Sequence, residues 1–187
     1  MKKIIVICCV CFLVILKTTA QNFNFGIEAG CDLVGAFVFP NNMAIKQAYN
    51  GLSYNLNGYL GYDFNSKLGV SIAPGFIQKG YENTRFNYFQ LPLLLNYNLI
   101  DKFSICSGPE LAYMLTDKSF VDNKFEVSGI VGINYSLSRK IDVGIRYSRA
   151  MTYFLSGYLL DSEGNLQFNQ IDYIYNNYLQ LNVRYRL

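Results

Sequence analysis

Residues 23–33 alternate strictly between apolar side chains and polar or glycine positions. The odd positions are apolar from Phe23 to Leu33, and the even positions carry asparagine, glycine, Glu28 and Asp32. A period of two is typical of a β-strand with one apolar and one polar face, because successive strand side chains point to opposite sides. No segment after residue 21 keeps a helical period for more than about two turns. The pattern predicts an all-β fold.

The same alternation returns in seven further segments. Most of the eight segments span roughly 10–14 residues, longer than the common strand of about 5–6 residues. Such lengths suit tilted membrane strands, which need about 9–11 residues to cross the hydrocarbon. The sequence therefore predicts an eight-stranded antiparallel transmembrane up-and-down β-barrel, closed by pairing of its first and last strands. The apolar faces of the further segments begin at Leu52, Leu68, Phe89, Phe103, Phe125, Ile141 and Tyr173.

The connections between these segments alternate in length. Short turns are predicted at residues 65–66, 100–101 and 138–139, and longer connections near residues 35–50, 80–85, 116–123 and 151–170. Outer-membrane barrels have short periplasmic turns and longer outer loops, so both termini are expected in the periplasm. A turn signal at residues 161–165 predicts that the last two strands continue as a hairpin. That hairpin would carry Tyr153, Phe154, Tyr158 and Phe168.

Alternation alone leaves open which face meets lipid. A soluble lipocalin-type barrel would have its apolar face inside, around a greasy ligand. Here the polar face is mainly Gly, Ser and Asn, and only 16% of the chain is charged, against roughly 25% in an average soluble domain. Aromatic residues near segment ends also match the interfacial girdles of membrane barrels. Both features favour a barrel whose apolar face points outward to lipid. The aromatic residues are Phe23, Phe64, Tyr97, Phe103, Tyr135 and Tyr185.

Residues 1–20 have the pattern of a cleaved secretory signal peptide. Lys2 and Lys3 precede a 13-residue apolar run at residues 4–16, and Thr18 and Ala20 supply small residues before a cut. The run is shorter than the ~20 residues of a transmembrane helix. We therefore expect a signal peptide at residues 1–20 and one barrel domain at residues 21–187.

Cleavage would leave 13 basic and 13 acidic residues, because three of the 16 Lys and Arg residues precede residue 21. A chain with no net charge lacks the excess of basic residues that indicates nucleic-acid binding. Two cysteines, Cys31 and Cys106, would remain, and the alternation assigns them to opposite faces. We expect them to be unpaired.

Five charged residues occupy the polar face of the predicted strands. An eight-stranded barrel is just wide enough for side chains to fill its interior, and unpaired charge in such an interior is costly. We therefore predict a neutralised lumen network that largely plugs the barrel. An ion-conducting path is the alternative. The predicted network residues are Glu28, Glu110, Arg146, Arg184 and Arg186.

Three prolines, Pro74, Pro92 and Pro109, fall within predicted strands. Proline removes a ladder donor, so bulges or kinks are expected there. The segments around them resemble a large family of bacterial outer-membrane β-barrels, often labelled porin-family or PorT-like. Residues 73–80 (APGFIQKG) are similar to its E-L-x-Y-S-Q-K-G strand, residues 88–95 (YFQLPLLL) to Y-L-E-I-P-L-L-L, and residues 107–115 (SGPELAYML) to G-P-x-L-G-Y-L-L.

The resemblance covers essentially the whole mature chain, in order and spacing. It implies an eight-stranded barrel in the bacterial outer membrane, in a family whose members mostly have no assigned role. PorT itself is implicated in protein secretion and gliding, but this chain looks shorter than PorT. The end of the chain, Tyr185-Arg186-Leu187, also departs from the terminal Phe or Trp common in such barrels.

The chain contains no histidine. This excludes a Ser-His-Asp triad and histidine-based zinc sites, and we expect neither an enzyme nor a cofactor. The predicted function is an integral outer-membrane barrel with a structural or interaction role through its outer loops. A small porin-like channel and an accessory component of an outer-membrane secretion system are the alternatives. Expected partners are membrane lipid and a protein bound by the loops, with a monomeric barrel favoured.

Overall fold

The computed structural model describes residues 23–39, 51–81, 84–117, 121–157 and 172–187. These residues form antiparallel strands joined by turns, and within them no helix is long and apolar enough to cross a membrane. The predicted signal peptide lies outside the described residues and stays a prediction. The strands are β1 (Phe23–Phe39), β2 (Gly51–Asp63), β3 (Leu68–Ile72), β4 (Gly75–Tyr81), β5 (Thr84–Ile100), β6 (Phe103–Met114), β7 (Phe125–Ser136), β8 (Ile141–Ala150), β9 (Leu155–Gly157) and β10 (Asp172–Arg186).

The sheet closes on itself. Strand β1 pairs with β2 on one side and with β10 on the other, in a register that runs from Gly26↔Arg186 to Phe39↔Tyr173. Around the ring the order is β1, β2, β3 with β4, β5, β6, β7, β8 and β10. Strands β3 and β4 together occupy one position in the ring, and among the described strands the short β9 pairs with β10 alone. The described residues therefore confirm the predicted ring of eight antiparallel strands.

Pro74 interrupts the third strand of the ring, as predicted. The gap between β3 and β4 is bridged on both sides, because Gly58 N donates to Pro74 O at 2.9 Å and Ala73 N donates to Pro92 O at 3.3 Å. The other two prolines do not change the register of their strands. The β6–β7 register passes through Pro109↔Gly129, and the β5–β6 ladder resumes at Leu95 without a shift.

Prolines 92 and 109 are tolerated because the β5–β6 ladder omits pairs at Leu93 and Leu94 and keeps its register on either side. The register of this ladder shifts between Asn98 and Ile100, beside the turn. The predicted bulges at Pro92 and Pro109 were therefore wrong. The register is the same on both sides of the two missing pairs, and a shift by one residue would have exchanged the two faces of the strand.

The two faces follow the predicted alternation. Large apolar side chains point outward and are exposed along every strand of the ring, whereas the inward side chains are mostly buried. Cys31 is exposed on the outside and Cys106 is buried inside, and both are free, as expected. The aromatic residues predicted at strand ends gather at the end that carries the short turns. There Phe23 contacts Tyr62 with ring centroids 4.9 Å apart, and Phe103 contacts Tyr135 at 4.6 Å.

The connections alternate as expected, with one exception. Short turns join β2 to β3, β5 to β6 and β7 to β8 at the end that also holds Phe23 and Arg186, which we call the turn end. The opposite end is the loop end. A longer connection was predicted near residues 80–85, but the strands pair up to Tyr81↔Thr84. Gly80, with a φ of 133°, takes a backbone conformation that favours glycine and leads into this hairpin.

The predicted final hairpin is seen in part. Strand β9 pairs with β10 from Asp172↔Gly157 to Ile174↔Leu155, beyond the end of β8. Tyr158 and Phe168 lie outside the described residues. Phe154 does not project from this hairpin, because its side chain is buried inside the barrel.

Candidate functional site: the barrel lumen

A carboxylate held by two arginines lies in the lumen on the turn-end side. Glu28 accepts two hydrogen bonds from Arg146, at 2.6 and 2.9 Å, and two from Arg184, at 3.1 and 2.8 Å. The three side chains come from β1, β8 and β10, which are adjacent in the ring. All three are buried. The paired, forked geometry suits guanidinium and carboxylate groups, so each charge has a partner where water is scarce.

Asp142 extends this group toward the turn end. It accepts hydrogen bonds from Arg186 at 2.8 and 2.7 Å and one from Ser136 at 2.8 Å, and Arg184 Nη1 lies 3.7 Å from Asp142 Oδ2. The guanidinium of Arg186 is the most exposed of these groups. We call Glu28, Asp142, Arg146, Arg184 and Arg186 the Glu28 cluster.

A second ionic group lies nearer the loop end. Lys79 Nζ is 2.7 Å from Glu110 Oε1 and 2.8 Å from Glu126 Oε1. Tyr178 donates its hydroxyl to Glu110, and Asn176 donates to Glu126 at 2.6 Å. The ammonium also lies 5.2 Å from the ring centroid of Tyr88 and 5.1 Å from that of Tyr178. We call Lys79, Glu110, Glu126, Tyr88, Asn176 and Tyr178 the Lys79 cluster.

A chain of amide side chains leads to a further buried carboxylate. Gln90 donates to Asn57 at 2.9 Å, Asn57 to Asn55 at 3.0 Å, and Asn55 to Asp32 at 3.0 and 3.1 Å. Each amide in the chain donates toward Asp32, which suits its negative charge. Asn182 continues the layer on the β10 side by donating to Gln180 at 2.7 Å.

Apolar side chains fill the lumen at the loop end. Phe86 and Phe154 are buried with ring centroids 5.6 Å apart in an edge-on arrangement. The backbone at Phe154 is held in place, because its N donates to Ile174 O at 2.9 Å and its O accepts from Asp122 N at 3.1 Å. We call this group the apolar cap. Its other buried members are Val34, Ile77, Tyr88, Ala112, Met114, Ile174 and Tyr178.

The five residues predicted from sequence do not form a single network. The structure brings Glu28, Arg146 and Arg184 into direct contact and joins Arg186 to them through Asp142, but it places Glu110 in the separate Lys79 cluster. The prediction omitted Lys79, Glu126 and Asp142, although each is a charged residue on the polar phase of its strand. Their position on the polar phase is the sequence signal that could have identified them as lumen residues.

The lumen clusters contain groups that neutralise one another. In the two clusters four carboxylates (Glu28, Glu110, Glu126 and Asp142) face four cations (Lys79, Arg146, Arg184 and Arg186), whereas the buried Asp32 accepts hydrogen bonds from the amide of Asn55. Among the described residues, no group of three or more Cys, Asp and Glu side chains is arranged to hold a metal ion. The arrangement is suited to holding the strands together across the interior.

Comparison with known proteins agrees with this architecture. The family model described as an outer membrane protein β-barrel domain matches residues 6–186. A search of curated proteins found no significant match. The structure is similar to Ail, the attachment invasion locus protein of Yersinia pestis crystallised with the heparin analogue sucrose octasulfate, with a TM-score of 0.52 at 12% identity, covering 89% of this chain and 99% of Ail.

Neisserial surface protein A is another similar structure, with a TM-score of 0.48 at 14% identity, covering 87% of this chain and 97% of that protein. Sequence identities this low indicate a shared fold only. The family model, by contrast, matches nearly the whole sequence. The closed eight-stranded ring, its apolar exterior and this match lead to one conclusion: the chain belongs to the outer membrane protein β-barrel family.

Proposed function

We propose that this protein is an integral outer-membrane barrel whose lumen is closed and whose role is exercised at its loop end. One observation carries the proposal: the inward side chains form three successive layers of buried contacts. These are the Glu28 cluster, the Lys79 cluster with the amide chain, and the apolar cap. An eight-stranded ring encloses only about the volume that side chains fill, so these layers support a lumen without a continuous aqueous path.

The chemistry of the layers also argues against conduction. Ions cross a pore when binding is weak enough for them to leave again. The guanidinium groups of Arg146 and Arg184 are instead bound to Glu28 by four hydrogen bonds. Above them, Phe86 and Phe154 offer an ion no polar partner. A permeating ion would have to displace both layers.

The loop end is the part of the barrel available to partners. Strands β1 and β10 pair up to Phe39↔Tyr173, and β9 adds to this extension. The rim also carries polar contacts, since Asp122 accepts hydrogen bonds from Ser156 N at 2.6 Å and Ser156 Oγ at 2.7 Å. We infer that these elements project from the outer leaflet, that both termini are periplasmic, and that residues 1–20 are removed on export. The chain's lack of histidine supports a non-enzymatic role.

Conductance in planar bilayers tests the closed lumen. The full mature chain, refolded in detergent and checked for the heat-dependent gel mobility of a folded barrel, is expected to give no discrete current steps. A Phe86→Ala/Phe154→Ala variant, which removes the two phenylalanine rings of the apolar cap but keeps both ionic clusters, is expected to give no current steps as well. Reproducible unitary steps from the unaltered protein would overturn the proposal and favour the porin-like channel.

Labelling of intact cells tests the orientation. Asp117 lies at the loop end and Arg139 in the turn between β7 and β8, and both are exposed. A membrane-impermeant maleimide is expected to label Asp117→Cys on intact cells and Arg139→Cys only after the outer membrane is opened. The reverse pattern would contradict periplasmic termini. Mass determination of the mature chain, expected to begin at Gln21, tests the signal peptide independently.

A further inference from the structure

A polar basin opens at the turn end of the barrel. It has two adjoining parts, with volumes of about 520 and 460 Å³. The larger part is lined by Lys67 from the turn between β2 and β3 and by Lys102 from the turn between β5 and β6, and the smaller part by Arg139 from the turn between β7 and β8. Because the lining comes from several sides of the ring, the basin is the turn-end mouth of the lumen. Both parts are lined by Asp101, Lys102, Ser136 and Arg186.

The floor of the basin carries an excess of positive charge. The Glu28 cluster combines three guanidinium groups with two carboxylates, Glu28 and Asp142. Arg186 shares Asp142 with Arg184, and the Arg186 side chain is still 34% exposed. An anion that reaches the basin therefore meets a net positive floor, although each guanidinium in the cluster already has a partner.

Three further cations lie around the rim of the basin. Lys67, Lys102 and Arg139 are exposed, and each belongs to a different short turn. Within the described ranges, none of their side chains forms an ion pair. Asp101 is the one carboxylate among the described residues that line the basin. The rim thus adds to the positive charge of the floor, and the basin as a whole is matched by an anionic ligand.

The spread of the rim cations favours an extended ligand. With eight strands about 4.8 Å apart and tilted by about 35–45°, the ring is roughly 15–17 Å across. Three turns distributed around such a mouth are too far apart for one phosphate or carboxylate group to contact all of them. Several anionic groups along an extended chain match them better.

Two features of the basin favour a peptide over other anionic ligands. Asp101 on the rim can accept a hydrogen bond from a backbone N–H group, which a peptide has and a polyphosphate lacks. The basin also opens inside the ring of turns, whereas the lipid headgroups surround the barrel on the outside. An acidic peptide segment fits both the charge and the position of the basin.

We propose that the turn-end basin binds an acidic peptide segment of a periplasmic protein, whose carboxylates pair with Lys67, Lys102 and Arg139. This partner is additional to the loop-end role proposed above, and only its periplasmic location rests on the proposed orientation. Exposed ion pairs are individually weak, so the affinity depends on several of them forming together. Complementary charge also brings the partner to the mouth of the barrel faster, and salt weakens this attraction.

Fluorescence anisotropy of a dye-labelled peptide of alternating glutamate and serine residues tests the site. The full mature chain is refolded in a non-ionic detergent and shown to be a folded barrel by heat-dependent gel mobility. We expect saturable binding of this peptide, and no binding of the same peptide with lysine in place of glutamate. Binding should weaken when the ionic strength rises from about 0.01 to about 0.15 M, because the screening length falls from roughly 30 to 8 Å.

Variants of the rim test which cations the peptide uses. Lys67→Gln, Lys102→Gln and Arg139→Gln are each expected to weaken binding by up to about fivefold, and the triple variant by about tenfold or more. Lys140→Gln is the matched control for Arg139→Gln, because it removes the next charge along the same turn. The Lys140 ammonium lies over the ring of Tyr185, 5.6 Å from its centroid, and Lys140 is not among the described residues that line the basin. This control should leave the affinity unchanged.

Three outcomes would overturn the peptide site: no saturable binding by the folded, unaltered protein, an unchanged affinity in the triple variant, or an equal loss in Lys140→Gln and Arg139→Gln, which would indicate general surface charge. Competition provides a further test. At equal total charge, the unlabelled peptide should displace the labelled peptide more effectively than tripolyphosphate does. The reverse order would assign the basin to a phosphate compound and overturn the peptide. Because binding is measured in detergent, its failure is distinct from a failure of the proposed orientation, which the maleimide labelling tests.

Discussion

Arg146 on β8 and Glu28 on β1 form a two-pronged ion pair across the inside of the barrel, with N–O distances of 2.6 and 2.9 Å. The two residues are 118 positions apart in the sequence and are not on adjacent strands, because β10 lies between β1 and β8. Arg184 on β10 binds the same carboxylate. The cluster therefore fastens three consecutive strands at the seam where the first and last strands meet.

Removing the carboxylate at this seam is expected to destabilise the barrel. Glu28→Gln leaves Arg146 and Arg184 buried with too little negative charge, and breaking a buried pair by removing one partner costs about 3–5 kcal/mol. The measurement is the free energy of unfolding by guanidinium chloride in lipid vesicles. The double variant Glu28→Gln/Arg146→Met should recover part of the loss, as coupled residues do. Strictly additive losses would contradict the proposed coupling.

A related prediction concerns the Lys79 cluster, where the residue to be removed is a cation between two carboxylates. Lys79→Met leaves Glu110 and Glu126 facing each other without a cation, and a loss of about 3–5 kcal/mol is expected. Neutralising both carboxylates as well, with Glu110→Gln and Glu126→Gln, should restore most of the stability, because amides of the same shape need no counter-ion. If the triple variant were as unstable as Lys79→Met, packing of the lysine stem rather than charge would be responsible.

An exposed ion pair at the loop end should behave differently. Lys124 Nζ lies 2.8 Å from Asp117 Oδ1, and this hydrogen bond and its charge hold the pKa of Asp117 below the usual value. A lowered pKa means that the stabilising contribution is present at neutral pH and is lost as pH falls through the pKa of the folded state. Solvent screens the pair, so Asp117→Asn is expected to leave the unfolding midpoint at pH 7 unchanged. A clear shift would show that the pair organises the loop end.

The outward face should be sensitive to charge according to depth. Ile133 lies outward in the middle part of β7, and Leu137 is exposed in the turn that follows the strand. An arginine in the middle of the lipid-facing band costs about 2–4 kcal/mol, and one near the interface about 0–1 kcal/mol. Ile133→Arg is therefore expected to lower the stability in vesicles much more than Leu137→Arg. Equal losses would contradict a lipid-facing exterior.

Close approach of strands at the seam requires glycine at position 30. A Cβ at Gly30 would overlap the backbone carbonyl oxygen of Leu181 on β10, which cannot move without opening the ladder. Gly30→Ala is expected to reduce the yield of folded barrel, measured as the gel band that shifts on boiling. Gly58→Ala, whose new Cβ would meet only Pro74 O at 3.9 Å, is the control and should fold normally. Equal yields would show that the seam can relax.

The sequence was sufficient to predict the ring. Strict alternation assigned each side chain to a face, and the number of alternating segments gave the number of strands. The faces of Cys31, Cys106 and the girdle residues followed directly. Alternation has this power because the period of a strand is two, so one residue fixes the orientation of all the others in its segment.

Tertiary structure alone decided which charges meet. Glu28 and Glu110 are both on the polar phase, yet one binds two arginines and the other a lysine, because the stagger of the strands sets the height of each residue in the barrel. Phe154 turned inward for a similar reason: the backbone bonds to Ile174 and Asp122 hold it over the mouth of the lumen. Alternation determines the face on which a side chain lies, whereas shear and connection geometry determine its neighbours, and these depend on the closed ring as a whole.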